Sequence, residues 1–362
     1  MKSWLVLVIL SFLCIALWFV PGPARLSDDS APTERAKVVE VDNASLQVHG
    51  LVEFGTQRLK VLCRDGKIRE AENELRAQGE IDKKFKPGDT ALVIAGREPL
   101  IARDHWRLGK AAVFFAVFCV LLCVFGGATG AKALFSFIFS CLAVWKLLIP
   151  LCLAGWHAST VVFITVAVLT AVIMYLVAGW TRTALAAFSG SMLGVVASLV
   201  LSHVCTRLMI IDGFTMPFAQ QLLYSGMSIL DLRDIFIGAV VLASSGAVMD
   251  LGMDIAAGIR EVKLYNPSLG FRELLFSGIR IGRAVVGTMT TTLLLAYSGG
   301  YLTLLMVFAA QGTRVEDFLN SNLVSAEIVK TLVGSFGLLL VAPFTALAGA
   351  FVFRSKIEKE NI

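Results

Sequence analysis

The chain has 362 residues, 57% of them hydrophobic and 16% charged, a formal net charge of +5 and a mean hydropathy of +0.77. These values exclude an ordinary soluble domain and fit an integral membrane protein. The excess lysines and arginines lie mostly in connecting segments, where they report orientation and attraction to membrane lipid, so no nucleic-acid partner is expected.

Apolar runs of the roughly 20 residues that a helix needs to cross hydrocarbon recur about eight times. They centre near Phe12, Leu121, Ile138, Ala167, Val196, Ala243, Leu294 and Leu339. The expected fold class is mostly α: a polytopic helical membrane protein, with a small β-rich, barrel-like extracytoplasmic domain after the first helix. Residues 1–21 read as an uncleaved signal anchor, with Gly22 and Ala24 as the small residues that a peptidase would use in the alternative reading. Residues 22–108 form the outside domain, 109–204 hold helices two to five, 205–233 are an outside loop with an interfacial helix, 234–354 hold helices six to eight, and 355–362 are a tail. Arg182, the group Arg260, Lys263, Arg272, Arg280 and Arg283, and the tail after Arg354 all fall on one side in this count. That side is expected to be the cytoplasm, with both termini inside.

Within the outside domain, Ala36–Val41, Arg58–Cys63 and Ala91–Ile94 alternate as strands do, and Phe85-Lys86-Pro87-Gly88-Asp89 has the chemistry of a turn. A barrel of about five strands is expected. Ile68–Ala77 is ambiguous, because Glu, Ala, Leu and Arg favour helix while its neighbours favour strand. In the second outside stretch, the apolar clusters Leu208–Ile211 and Phe218–Leu223 mark either the interfacial helix or a loop packed over helix ends.

The sixth run carries the strongest chemical signal. Gly246, Asp250, Asp254 and Gly258 recur every fourth residue and share one helical stripe. A charge placed in hydrocarbon costs about 3 kcal/mol or more, so both carboxylates are expected to face protein or a water-filled path. Gly246, Gly258 and Gly287 are expected to let a neighbouring helix approach closely. On the seventh run, Thr288 and Thr291 lie on one face and would supply neutral oxygens beside the acids, with Tyr297 as a further hydroxyl; bonding to their own helix backbone is the alternative. Arg283 is expected at the depth of Asp254, where an ion pair would satisfy both groups without a substrate. Asp250 lies a turn deeper and is left to a proton or a bound cation.

Met249 and Met253 read as packing residues, and seven dispersed cysteines with His49, His105, His157 and His203 form no zinc spacing, so the metal question stays open. No cofactor is implied and no catalytic motif of a membrane enzyme is present. A faint repeat relates Gly190-Ser191-Met192 to Gly287-Thr288-Met289.

The run from Gly246 to Ala256, with Glu261, Asn266-Pro267, Ser277-Gly278, Ile281-Gly282-Arg283, Gly287-Thr288-Met289, Thr292-Leu293 and Ala296-Tyr297-Ser298-Gly299, resembles the YibE/F family of bacterial multi-span membrane proteins. The resemblance implies a polytopic protein of the cytoplasmic membrane, described in that family as a permease or efflux component. It also implies that Asp250 matches the family pattern, whereas a small polar residue is common at the position of Asp254. Two functions follow as expectations: a secondary transporter moving a small solute or ion, with a buried carboxylate as its proton or cation site, or a scaffold or accessory subunit whose outside domain docks a partner. A homo-oligomer or a second family member is an expected companion.

Overall fold

Between Thr33 and His105, stretches of alternating burial send side chains in turn to a buried face, with bulges between Val38 and Glu40 and between Leu92 and Val93. The computed structural model describes residues 11, 14–19 and 32–354 apart from 80, 97 and 228. Its strands are β1 (Thr33–Asp42), β2 (Leu46–His49), β3 (Val52–Leu62), β4 (Ile68–Arg76), β5 (Thr90–Ile94) and β6 (Leu100–His105). The sheet order is β1-β5-β6-β4-β3-β2, and an added β1–β3 pairing closes a ring of five strands with β2 hairpinned onto β3. The β4–β6 pair is parallel and the other pairs are antiparallel. With β2 set aside, this is the strand order of an OB-type barrel.

Val38, Leu59, Val61, Ala71, Phe85 and Val93 fill its interior. The ambiguous Ile68–Ala77 stretch is strand β4, because pairing along nearly all of β3 and the inward positions Ala71, Asn73 and Leu75 override the helix preference of its polar residues. The turn before β5 is built as its residues require: Gly88 has φ +95°, its N–H donates to the Val38 carbonyl at 2.8 Å, and the Asp89 carboxylate accepts the Lys86 N–H at 2.8 Å. Gln57, fully buried, accepts the Phe85 N–H and donates to the Phe85 carbonyl, both at 3.0 Å, and so ties the loop before that turn to β3.

Chain contacts divide the molecule into Ser27–Phe125 and the remainder. The helices are α1 (Leu108–Ala143), which runs through a π-helical turn at Val144–Leu148 into α2 (Ile149–Leu153), then α3 (Ala158–Ala178), α4 (Arg182–Leu208), α5 (Ala219–Tyr224), α6 (Leu232–Tyr265), α7 (Phe271–Gly300), α8 (Leu302–Ala310), α9 (Val315–Asn320) and α10 (Asn322–Val352). Among the described residues, six helical stretches are long and apolar enough to cross a membrane, against the eight runs expected. The difference has two sources. The runs near Leu121 and Ile138 are joined in one 46-residue stretch that leaves helical geometry only at Gly127, with φ 52° and ψ −129°. The first run lies outside the described residues except at 11 and 14–19, which are helical.

Helices α3, α4, α6 and α10 form the packed centre. Small residues set their spacing: a Cβ at Gly190 of α4 would stand 2.5 Å from Thr345 Cα of α10, one at Gly194 would stand 3.0 Å from Val341 Cβ, and one at Gly238 of α6 would stand 3.0 Å from Val162 of α3. Helix α7 is peripheral, since 6% of its most apolar stretch is buried against 44% for α3, α4 and α10 and 56% for α6. The stretch after α4 packs over helix ends: Ile211 is fully buried with Phe236, Val240 and Val329, and the six-residue α5 follows. The Gly190–Gly287 echo has no structural counterpart, because Gly190 sits in the α4–α10 contact and Gly287 faces open space.

Candidate carboxylate site on the membrane helices

The register of α6 against α7 is fixed by the turn that joins them. Lys263, 4% exposed, donates to the carbonyls of Pro267 at 2.9 Å and Leu269 at 2.8 Å. Glu273 accepts the Gly270 N–H at 2.7 Å where α7 begins. Above this turn the two helices run antiparallel in close contact. A Cβ at Gly258 would meet Ile281 Cδ1 at 2.7 Å, one at Gly278 would meet Ile259 Cδ1 at 2.7 Å, and one at Gly282 would meet Ile255 Cδ1 at 3.2 Å. Gly258 therefore lies in the α6–α7 contact. Gly246 and Gly287 do not, since among the described residues a Cβ at either would meet nothing within 4 Å.

Asp254 precedes Ile255 and Arg283 follows Gly282, so these contacts put the two charges at one level. They are nevertheless not paired. Among the described residues, neither Asp254 nor Arg283, nor Asp250, has an opposite charge within 4.0 Å. Among the described residues no other helix of the chain covers the carboxylates. Asp250 and Asp254 are exposed on a stripe with Ala239, Ala243 and Gly246, because α3, α4, α7 and α10 take up the other sides of α6.

The threonines follow the alternative reading. Thr288 Oγ1 donates to the Val285 carbonyl at 2.9 Å and Thr291 Oγ1 to the Gly287 carbonyl at 3.1 Å, with Thr290 and Thr292 bonded likewise. A carbonyl three or four residues back is always within reach of a helical threonine, so no acid is needed to satisfy it. Both Thr288 and Thr291 are exposed, on the same peripheral helix as Arg283.

Tyr297 belongs elsewhere. It lies ten residues, about 15 Å, beyond Gly287 along α7. Its ring stands 5.6 Å from Lys330 Nζ, its hydroxyl lies 3.2 Å from where a Cβ of Gly334 would be, and that buried hydroxyl has no hydrogen-bond partner among the described residues. Lys330 in turn pairs with Glu327 at 3.4 Å, both half-buried in the first turns of α10. Sequence reading passed over this second ionisable group, although Glu327 and Lys330 are the only charges in the apolar run that forms α10.

Asp234 was also missed. It is 9% exposed at the start of α6, accepts the Ser159 N–H at 3.2 Å and lies 3.9 Å from His157 Nδ1, so it caps α3 from a neighbouring helix. Its signal was an acid just inside an apolar run. Among the described residues, no three His, Cys, Asp or Glu side chains come together as a metal-ligand set.

No curated protein and no solved structure matches the chain. The family described as YibE/F-like protein matches residues 114–355, which takes in the membrane-length helices except the first six residues of Leu108–Leu153, and both carboxylates. The chain is a multi-pass membrane protein of the YibE/F-like family.

Proposed function

We propose that the chain is a permease-type secondary transporter of the bacterial cytoplasmic membrane, with Asp250 as the group that takes up a proton or small cation as a solute moves. One observation carries the reading: Asp250 and Asp254 lie one turn apart within a membrane-length helix, exposed and without a counter-charge within 4.0 Å among the described residues. Each bare charge at that depth costs about 3 kcal/mol or more, a penalty that proton uptake or a bound cation removes. Asp250 is the stronger candidate because it is one turn, about 5 Å, further from the α6–α7 turn than Asp254.

The spans are arranged with both termini in the cytoplasm and the β-barrel outside. The 46-residue stretch Leu108–Leu153 is about 69 Å long at 1.5 Å per residue, enough to cross twice with its break at Gly127. With the N-terminal run this gives about eight spans.

Ion and proton flux into proteoliposomes, with wild type beside Asp250→Asn under imposed pH and cation gradients, tests the reading. A wild-type flux lost in the variant is the expected result; equal flux in both removes Asp250 from the path. A scaffold role is the second reading, favoured by the tip of the β2–β3 hairpin, where Val48 is 68% and Leu51 105% exposed. In that case Leu51→Ser releases a co-purifying partner and Asp250→Asn does not.

A further inference from the structure

The outward stripe of α6 and the outward face of α7 form one unpartnered surface. It carries the acids Asp250 and Asp254, the exposed cation Arg283, the exposed hydroxyl helix face of Thr288 and Thr291, and two glycines, Gly246 and Gly287, at which a Cβ would meet nothing within 4 Å among the described residues. On a soluble protein such a surface would face water. On membrane-length helices an uncovered face would meet lipid, which solvates neither the acids nor the guanidinium. A face of small residues on a membrane helix admits another helix closely, and among the described residues no helix takes that place at Gly246 or Gly287.

The identity of the occupant follows from charge and depth. Asp254 and Arg283 stand at one level because Ile255 packs on Gly282, yet among the described residues they do not pair. A two-fold axis along the membrane normal preserves depth, so it returns the Arg283 of a second copy at the level of Asp254, and the reverse contact follows by symmetry. The apolar runs at residues 3–24 and 111–131 contain no charged side chain and cannot supply that cation. Lys132 and Lys146 belong to the segment that packs on α3 through Phe139 and Ala143 against Leu169 and Leu176.

We infer that a second copy of this chain covers the α6–α7 face, with Asp254 of each copy paired to Arg283 of the other and Gly246 and Gly287 at the points of closest approach. Asp250, a turn further into the membrane, is then enclosed between the copies instead of facing lipid. The inference rests on the charge pattern and the open glycines, not on transport, so it stands or falls separately from the flux experiment.

A charge exchange between two differently tagged copies tests it. Asp254→Arg alone brings two arginines together at each contact, and Arg283→Asp alone brings two aspartates together. Expressed together, the two variants restore both opposite-charge pairs between copies, whereas no pair within one copy is restored. The full-length chains are solubilised in mild detergent and captured by one tag. The expected result is that wild-type copies co-purify, that each variant loses at least ten-fold of that capture with its own kind, and that the mixture regains it. Gly287→Leu, whose side chain meets no atom of its own chain near Cβ, is expected to remain monodisperse and lose capture. Wild-type copies that never co-purify, a mixture that regains nothing, or Gly287→Leu copies that associate as wild type does would each overturn the inference.

Discussion

Replacing Gly190 by alanine tests whether the α4–α10 contact sets the spacing of the helical core. In an isolated helix the change is favourable by about 1 kcal/mol, so any net loss must come from packing. The new Cβ would stand 2.5 Å from Thr345 Cα and 2.7 Å from Thr345 Cβ. Carbon atoms rest at about 3.5 to 4.0 Å, and a Cα cannot rotate aside, so the helices must separate by about 1 Å. Such a gap forfeits a quarter to a half of the dispersion energy at each neighbouring contact, including Gly194 against Val341. A net destabilisation of about 2 to 3 kcal/mol is expected. Gly337→Ala in α10 also meets α4, but its nearest atom is the Ser198 hydroxyl, a side-chain end without a hydrogen-bond partner among the described residues. That oxygen rotates away at little loss, and a change below about 1 kcal/mol is expected. Gly246→Ala meets nothing and should be neutral or slightly stabilising. Unfolding in a detergent that disperses the chain to single copies, followed by thermal loss of the monodisperse peak, orders the three variants. Gly190→Ala as stable as Gly246→Ala would refute the reasoning.

Two further outcomes can be measured on the same preparations. Burial, with the Glu34 carboxylate beside it, pushes the Cys63 thiol up to about 11 from 9.0, so its thiolate at pH 8 is about 100-fold scarcer than that of an ordinary cysteine; iodoacetamide labelling followed by peptide mass spectrometry should find Cys63 nearly inert at pH 8 and increasingly reactive towards pH 11. A thiol whose folded pKa is raised stabilises the barrel fully below its unfolded pKa, and that contribution is lost as pH rises from about 9 to 11. Lys263→Met strips the Pro267 and Leu269 carbonyls of a charged donor, at about 1.5 to 3 kcal/mol for each bond; limited proteolysis should cut between Asn266 and Gly270 faster than in wild type, while an unchanged cleavage rate would show that the turn holds without the lysine.

What the sequence disclosed and what it concealed divide along one physical line. The apolar runs, the four-residue recurrence of Gly246, Asp250, Asp254 and Gly258, and the strands β1, β3 and β5 are local patterns; the strands and the one-stripe placement appear as read, while two of the eight runs join in one stretch and the first lies largely outside the described residues. Which side of α6 those acids occupy is not local. It depends on how many helices surround α6, and Gly190 and Gly246 look alike in sequence although one is crowded by Thr345 and the other touches nothing. Tyr297 reads in sequence as a further hydroxyl near the acids, but the rise along α7 carries it to Lys330 and Glu327. β4 was obscured for a related reason: nine residues with a helical vocabulary become strand only because β3 offers a continuous partner. The same logic governs the acids. In water an exposed aspartate needs no explanation, whereas in a membrane helix it is an unfinished contact, and the chain supplies an arginine at its level without closing the pair. A sequence whose own fold leaves matched charges and open glycines on one face specifies a surface as much as a fold, and the partner that completes it must bring opposite charge to the depth where this chain already carries it.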